Sequence, residues 1–133
     1  MIILFNIENA DEGQVFLAYV GYEDKSGGKE RPIIAMKDYE TERWLAFKVT
    51  SKVEKKMNHK YGYLVEDWKE AGFIVPSIIK CNREDIYDLK PQHIIKKVGE
   101  LTNRDLKGLL IKTVKVREIE YKRDLRKNQY YER

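Results

Sequence analysis

The clearest β signature in this chain is the stretch RWLAFKVT, residues 43–50. Its side chains alternate between two faces, as they do along any extended strand. One face carries the apolar side chains of Leu45, Phe47 and Val49. The other face carries Trp44, Ala46, Lys48 and Thr50. We therefore predict a half-buried β-strand over residues 43–50 that presents Lys48 and Thr50 side by side.

Short apolar stretches on both sides of this strand extend the β pattern. Further strands are predicted over residues 15–20, 33–36, 61–65, 73–80, 85–89 and 93–98. Between two of them, residues 66–71 resemble a single helical turn. Gly72 follows this turn at the position where a glycine commonly ends a helix.

A longer helix is predicted to begin at Thr102, with Asp105 close to a capping-box position. Its amphipathic stripe consists of Leu106, Leu109, Leu110, Thr113 and Val116. The pattern weakens over residues 117–126, into which the helix can continue. Many short strands followed by one late helix predict a mostly β fold, a small β-barrel with a helix appended.

Length and composition favour one domain that covers residues 1–133. The chain has 133 residues, of which 36% are charged, one cysteine and two histidines. A single cysteine makes no internal disulfide, and a four-ligand zinc site is nearly excluded. No apolar run approaches the ~18 residues that suggest a membrane span. The lone cysteine and the lack of a signal-peptide pattern predict a cytoplasmic protein.

The net charge of +4 is unevenly distributed. Residues 48–60 contain five lysines and one glutamate, whereas residues 117–133 contain six basic and four acidic residues. Lysines that bind phosphates, next to aromatic side chains that stack on bases, suit single-stranded nucleic acid. A solvated basic loop that keeps the protein soluble is the alternative interpretation. In the RNA-binding interpretation the Gly27–Arg31 loop and the Lys52–Lys60 loop are expected to be the mobile parts, because they are polar and lack apolar alternation.

Five short motifs occur in order along residues 13–116. They are Gly13 before the first strand, Gly28-Lys29-Glu30-Arg31-Pro32, Val49-Thr50-Ser51, the run from Asp67 to Phe73 with Pro76-Ser77 after it, and Val98-Gly99-Glu100-Leu101-Thr102 before the late helix. Together they resemble the MazF/PemK family of mRNA interferase toxins from type II toxin–antitoxin systems. The resemblance covers most of the chain and leaves residues 117–133 as a charged C-terminal extension.

This resemblance implies an SH3-like barrel with a C-terminal α-helix, assembled as a homodimer. It implies an endoribonuclease that cleaves single-stranded mRNA at specific sequences, needs no metal or other cofactor, and is inhibited by a cognate antitoxin protein. In such an enzyme the 2′-hydroxyl of the RNA attacks the adjacent phosphorus. The family's Arg-Pro and Thr-Ser positions correspond to Arg31 and Thr50, which we predict to be catalytic.

Arg31 suits the stabilisation of phosphoryl oxygens because a guanidinium is always charged and can bind two oxygens. Thr50 can donate its hydroxyl to a phosphoryl oxygen. The predicted RNA-binding residues are Gly28, Pro32, Lys48, Ser51, Lys52, Lys56 and Ser77. His59 and His93 are far apart in sequence and form no evident catalytic pair.

Two other functions remain compatible with this sequence. One is a gyrase-inhibiting toxin similar to CcdB, whose architecture resembles that of the MazF/PemK family. The other is a non-catalytic binding module, for example an SH3-like RNA-binding domain.

Overall fold

The structure is a computed structural model that describes residues 12–21 and 27–131, with side chains as far as residue 128. Its strands are β1 (Gln14–Gly21), β2 (Gly28–Asp38), β3 (Arg43–Thr50), β4 (Gly62–Leu64), β5 (Ile78–Lys80), β6 (Ile86–Asp88) and β7 (Ile94–Glu100). Its helices are α1 (Lys56–Tyr61) and α2 (Asn103–Tyr131), with short 3-10 turns at Arg83–Asp85 and Pro91–His93. The order of these elements confirms a mostly β chain that ends in a helix.

The seven strands form one antiparallel sheet. Six of them follow the order β4-β5-β3-β2-β1-β7, and β6 pairs with β3 outside this order. Strand β3 lies at its centre and pairs with β2 along one edge. Along its other edge, residues 45–47 pair with β6 and residues 49–50 pair with β5. The polar end of β3 is therefore surrounded by β2 on one side and β5 on the other.

Both faces of β3 carry buried side chains, so the prediction that β3 is half-buried was wrong. One core cluster contains Phe47 and Val49 together with Leu109 and Val116 of α2. The second cluster lies on the opposite face of β3 and contains Trp44 and Ala46 with residues of β1, β2 and β7. Sequence alternation failed to predict the second cluster because tryptophan and alanine occur on either kind of face.

Helix α2 is anchored to the sheet by the buried carboxylate of Asp105. This carboxylate accepts hydrogen bonds from Tyr63 Oη at 2.7 Å and from the backbone N–H groups of Glu66 and Asp67, both at 2.9 Å. The Asp105 N–H is 3.4 Å from Thr102 Oγ1, so half of the predicted capping interaction forms. The carboxylate holds the segment after β4, and it also accepts a hydrogen bond from the Thr102 hydroxyl at 3.4 Å.

The helix continues through residue 117 without a break and ends at Tyr131. Within the extension that starts at residue 117, Glu120 is only 3% exposed and accepts a hydrogen bond from the Arg83 N–H at 3.1 Å. Arg117 donates to the Cys81 carbonyl at 2.8 Å. The first turns of the charged extension therefore pack on the segment around Cys81 and Arg83 that follows β5. Leu110, predicted for the buried stripe, is 45% exposed.

Two further local predictions have different outcomes. Residues 66–71 form hydrogen-bonded turns, and Gly72 ends them with a φ of 93°. The Phe73 N–H donates to Trp68 O and the Gly72 N–H to Lys69 O, the Schellman pattern, which confirms the predicted role of Gly72. By contrast, the predicted strand over 73–80 is shorter: within the described part of the chain, only its residues Ile78–Lys80 pair with neighbouring strands.

Candidate nucleic-acid interface

One face of the sheet changes from apolar to cationic towards one end. On this face β1, β2 and β3 bury the side chains of Phe16, Ala18, Ile33, Ala35, Trp44 and Ala46. Continuing the alternation towards the end marked by Gly21 and Gly28 brings Arg31 of β2 and Lys48 and Thr50 of β3 to the same face. The apolar part holds the strands in register, and the polar part is left open to solvent.

A groove of about 330 Å³ lies at this polar end. We call it the basic groove, and its polar side chains are those of Arg31, Lys48, Thr50, Lys52, Lys55, Asn58, Lys80 and Asp85. Five of these side chains are cationic and one is a carboxylate, a formal charge of +4. Of the nine residues predicted as catalytic or RNA-binding, Arg31, Thr50, Lys48 and Lys52 line it together.

The two predicted catalytic residues come from paired strands. The last paired residues of β2 and β3 are Ile33 and Lys48, so Arg31 and Thr50 each lie two residues beyond the paired part, where both line the basic groove. Thr50 Oγ1 accepts a hydrogen bond from the Lys52 N–H at 3.2 Å. Because its oxygen is the acceptor in that bond, the Thr50 hydroxyl keeps its proton for donation into the groove.

Asp85 organises the lysines of the groove. Its carboxylate oxygens lie 3.7 Å from Lys48 Nζ and 3.7 Å from Lys80 Nζ. It also accepts a hydrogen bond from Asn82 Nδ2 at 2.6 Å. The carboxylate thus reduces the repulsion between two ammonium groups on neighbouring strands. Sequence reasoning missed Lys80 and Asp85, because their approach to Lys48 depends on the pairing of β3 with β5.

The segment after β3 is held by its own hydrogen bonds, which corrects the prediction of a mobile loop over 52–60. Asn58 Nδ2 donates to the Lys52 carbonyl at 2.8 Å, and His59 Nε2 lies 2.6 Å from the Val53 carbonyl. A carbonyl oxygen can only accept a hydrogen bond, so Nε2 is the donor in this contact. His59 therefore has a structural role, and helix α1 fixes the positions of Lys52 and Lys55.

The other five predicted residues do not line the basic groove. Ser51 and Lys56 are exposed beside it, and Pro32 is partly buried within β2. Ser77 is 3% exposed and donates its hydroxyl to the Val75 carbonyl at 2.9 Å, so it offers no surface to RNA. Gly28 lies under the ring of Tyr19, where an added Cβ would approach Tyr19 Cζ to 2.6 Å. Its lack of a side chain makes room for that ring.

Among the described residues, no three His, Cys, Asp or Glu side chains are grouped so that they could hold a metal ion. Neither helix in that part of the chain has a stretch that is long and apolar enough to cross a membrane. No protein-family model matches the chain, and no curated protein matches it significantly. A function is therefore inferred from the geometry of the basic groove and from the sequence motifs.

Proposed function

We propose that this protein is a metal-independent endoribonuclease of the MazF/PemK type, which binds single-stranded RNA in the basic groove. The observation that supports this proposal is that Arg31, Thr50, Lys48 and Lys52 line one groove with a formal charge of +4. Clustered cations favour a polyanion because RNA binding releases the counterions of its phosphates. Arg31 and Thr50 are also the two residues that the sequence motifs predict to be catalytic.

The reaction in this proposal is an attack by the RNA's own 2′-hydroxyl on the adjacent phosphorus. The products are a 2′,3′-cyclic phosphate and a 5′-hydroxyl. Arg31 binds two phosphoryl oxygens and stabilises the charge that accumulates on them. Thr50 donates a further hydrogen bond to the same phosphoryl group.

The proton of the attacking hydroxyl needs an acceptor, and arginine is a poor base because its pKa exceeds ~12. Among the described residues that line the basic groove, Asp85 is the carboxylate available for this role. The leaving 5′-oxygen takes a proton from an acid, and the ammonium groups of Lys48 and Lys80 lie beside Asp85. In this arrangement the carboxylate of Asp85 is the general base, and an ammonium group of Lys48 or Lys80 is the general acid.

The remaining parts of the proposal follow the resemblance. The sheet with its C-terminal helix is an SH3-like barrel, and the protein acts in the cytoplasm as a homodimer. The cognate antitoxin inserts an extended acidic segment into the basic groove, where it competes with RNA for Arg31 and the lysines.

The test is cleavage of a long single-stranded RNA in EDTA, with the ends of the fragments mapped. Wild-type protein should produce discrete cuts with 5′-hydroxyl ends. Arg31→Ala should lower the rate by ~10²–10³, the usual cost of removing one donor to a transition-state oxyanion. Arg43→Ala is the matched control, because Arg43 is an exposed arginine whose partner is Asp88, outside the groove.

Three results would separate this proposal from its rivals. Intact RNA that is nevertheless bound in a salt-dependent manner would support the non-catalytic binding module. Inhibition of gyrase that persists in Arg31→Ala would support a toxin similar to CcdB. Equal loss of cleavage in Arg31→Ala and Arg43→Ala would exclude a specific role for Arg31.

A further inference from the structure

A second cavity, of about 290 Å³, adjoins the basic groove. We call it the aromatic cavity, and it is lined by Tyr19, Val20, Lys48, Tyr87, Lys90 and His93. Val20, Gly21 and Lys48 line both the aromatic cavity and the basic groove. A strand of RNA whose phosphates lie against Lys48 can therefore reach the aromatic cavity without leaving the surface of the protein.

The ring of Tyr19 is held in place without being covered. Tyr19 and His93 make an edge-to-face contact, with ring centroids 6.1 Å apart and planes at 78°. The end of the ring also lies close to Gly28, where an added Cβ would approach Tyr19 Oη to 2.8 Å. Even so, Tyr19 is 43% exposed. A ring that is fixed but open to solvent is suited to stacking on a planar ligand, because little side-chain entropy remains to be lost.

Tyr87 supplies a second aromatic wall. It packs against the core cluster that contains Trp44 and Ala46. Burial raises the pKa of Tyr87, so its hydroxyl stays neutral at physiological pH. The cavity thus combines two aromatic rings with Lys48 and Lys90, while Glu84 contributes a carboxylate to its lining.

We propose that the aromatic cavity binds one nucleobase of the RNA whose phosphates occupy the basic groove. Bases are neutral and planar, and they stack on aromatic side chains, whereas phosphates need the cations of the groove. Glu84, Lys90 and the tyrosine hydroxyls provide donors and acceptors at the edge of the stacked base. The inference depends on RNA binding in the basic groove, as proposed above.

The experiment measures binding of a labelled single-stranded RNA with 2′-fluoro sugars, which lacks the attacking hydroxyl and so is not cleaved. Tyr19→Leu should weaken binding by about tenfold, within the range found for the loss of one base-stacking contact. Tyr19→Phe retains the stacking ring and should recover most of the affinity that Tyr19→Leu loses. Tyr39→Leu is the matched control, because Tyr39 is exposed at the opposite end of β2.

A series of the same RNA with one abasic position at a time identifies the stacked base without changing the protein. One position should cost wild type about tenfold in affinity, as expected for one stacking contact. At that position Tyr19→Leu should cause no further loss.

Suppose that Tyr19→Leu binds as tightly as Tyr39→Leu, that every abasic RNA binds as tightly as the intact RNA, and that Lys52→Gln weakens binding. The aromatic cavity then does not take a base, although the basic groove still binds RNA. If wild type does not bind this RNA at all, the proposed function fails and the base site fails with it.

Discussion

Replacing Asp85 with asparagine tests the electrostatics and the chemistry of the basic groove at once. The change removes a carboxylate that lies 3.7 Å from both Lys48 Nζ and Lys80 Nζ. Asparagine keeps the size of the side chain and an oxygen that can accept the hydrogen bond from Asn82. The two lysines are partly exposed, so the loss of these ion pairs should cost at most ~1 kcal/mol of stability.

The affinity for RNA should rise. Each phosphate neutralised in a single strand changes the slope of log K against log salt by ~0.7. Removal of Asp85 leaves the groove with one more net positive charge, so the slope should steepen by about that amount. At a salt concentration of about 0.1 M, this slope corresponds to binding that is roughly fivefold tighter.

The cleavage rate should fall, in contrast to the affinity. If the carboxylate accepts the proton of the 2′-hydroxyl, its loss removes a general base that typically contributes ~10²–10⁴ in rate. Misfolding would not produce tighter binding together with slower cleavage, since an unfolded variant loses both RNA binding and cleavage.

The assay combines binding titrations of uncleavable RNA at four salt concentrations with single-turnover cleavage of ordinary RNA. Asp88→Asn is the matched control, since Asp88 pairs with Arg43 at 3.3 Å away from the groove. Weaker binding with a flatter salt dependence in Asp85→Asn would refute the electrostatic reasoning. An unchanged cleavage rate would show that Asp85 is not the base.

Three further predictions concern binding, stability and pH. Lys55→Gln should make the salt dependence of RNA binding shallower by ~0.7, measured by the same titrations. Asp105→Asn should reduce the free energy of unfolding by about 1–3 kcal/mol, measured by urea denaturation, because a partly buried backbone N–H loses its carboxylate acceptor. Hydrogen bonds from Arg104 and Thr102 hold the pKa of Asp67 below its ordinary value of 3.8. The stability that Asp67 contributes should therefore be complete above pH 3.8 and disappear as the pH falls through the lower pKa of the folded protein. Urea midpoints measured between pH 5 and 2 should show this loss in wild type and not in Asp67→Asn.

Local sequence patterns predicted the elements whose cause is local. The strand over 43–50 and the role of Gly72 follow from alternation and from the conformational freedom of glycine, and both agree with the structure. The strand over 73–80 was wrong in its first half. An apolar run indicates burial, but Ile74 is 91% exposed, and no neighbouring strand pairs with the residues around Pro76. Whether an apolar segment finds a partner is a tertiary property.

Some residues of the candidate site could be predicted from local sequence, and others could not. Arg31, Thr50, Lys48 and Lys52 could be selected from motifs and local charge, because β2 and β3 are neighbours in sequence and joined by a short connection. Lys80 and Asp85 could not, because they reach the groove through the pairing of β3 with β5 and through the 3-10 turn at Arg83–Asp85. Ser77 shows the converse, since a hydroxyl in a suitable motif is buried by the packing around it.

The amino-acid sequence alone was sufficient for the mostly β class, the late helix and the basic character of residues 48–60, because periodicity and charge are properties of neighbouring residues. The fold had to form before Asp85 could lie between two lysines or Tyr19 could lie over Gly28 beside the basic groove. Those contacts join residues far apart in the chain or depend on strand register. Their formation depends on which apolar faces pack together, and that choice is made by the whole chain at once.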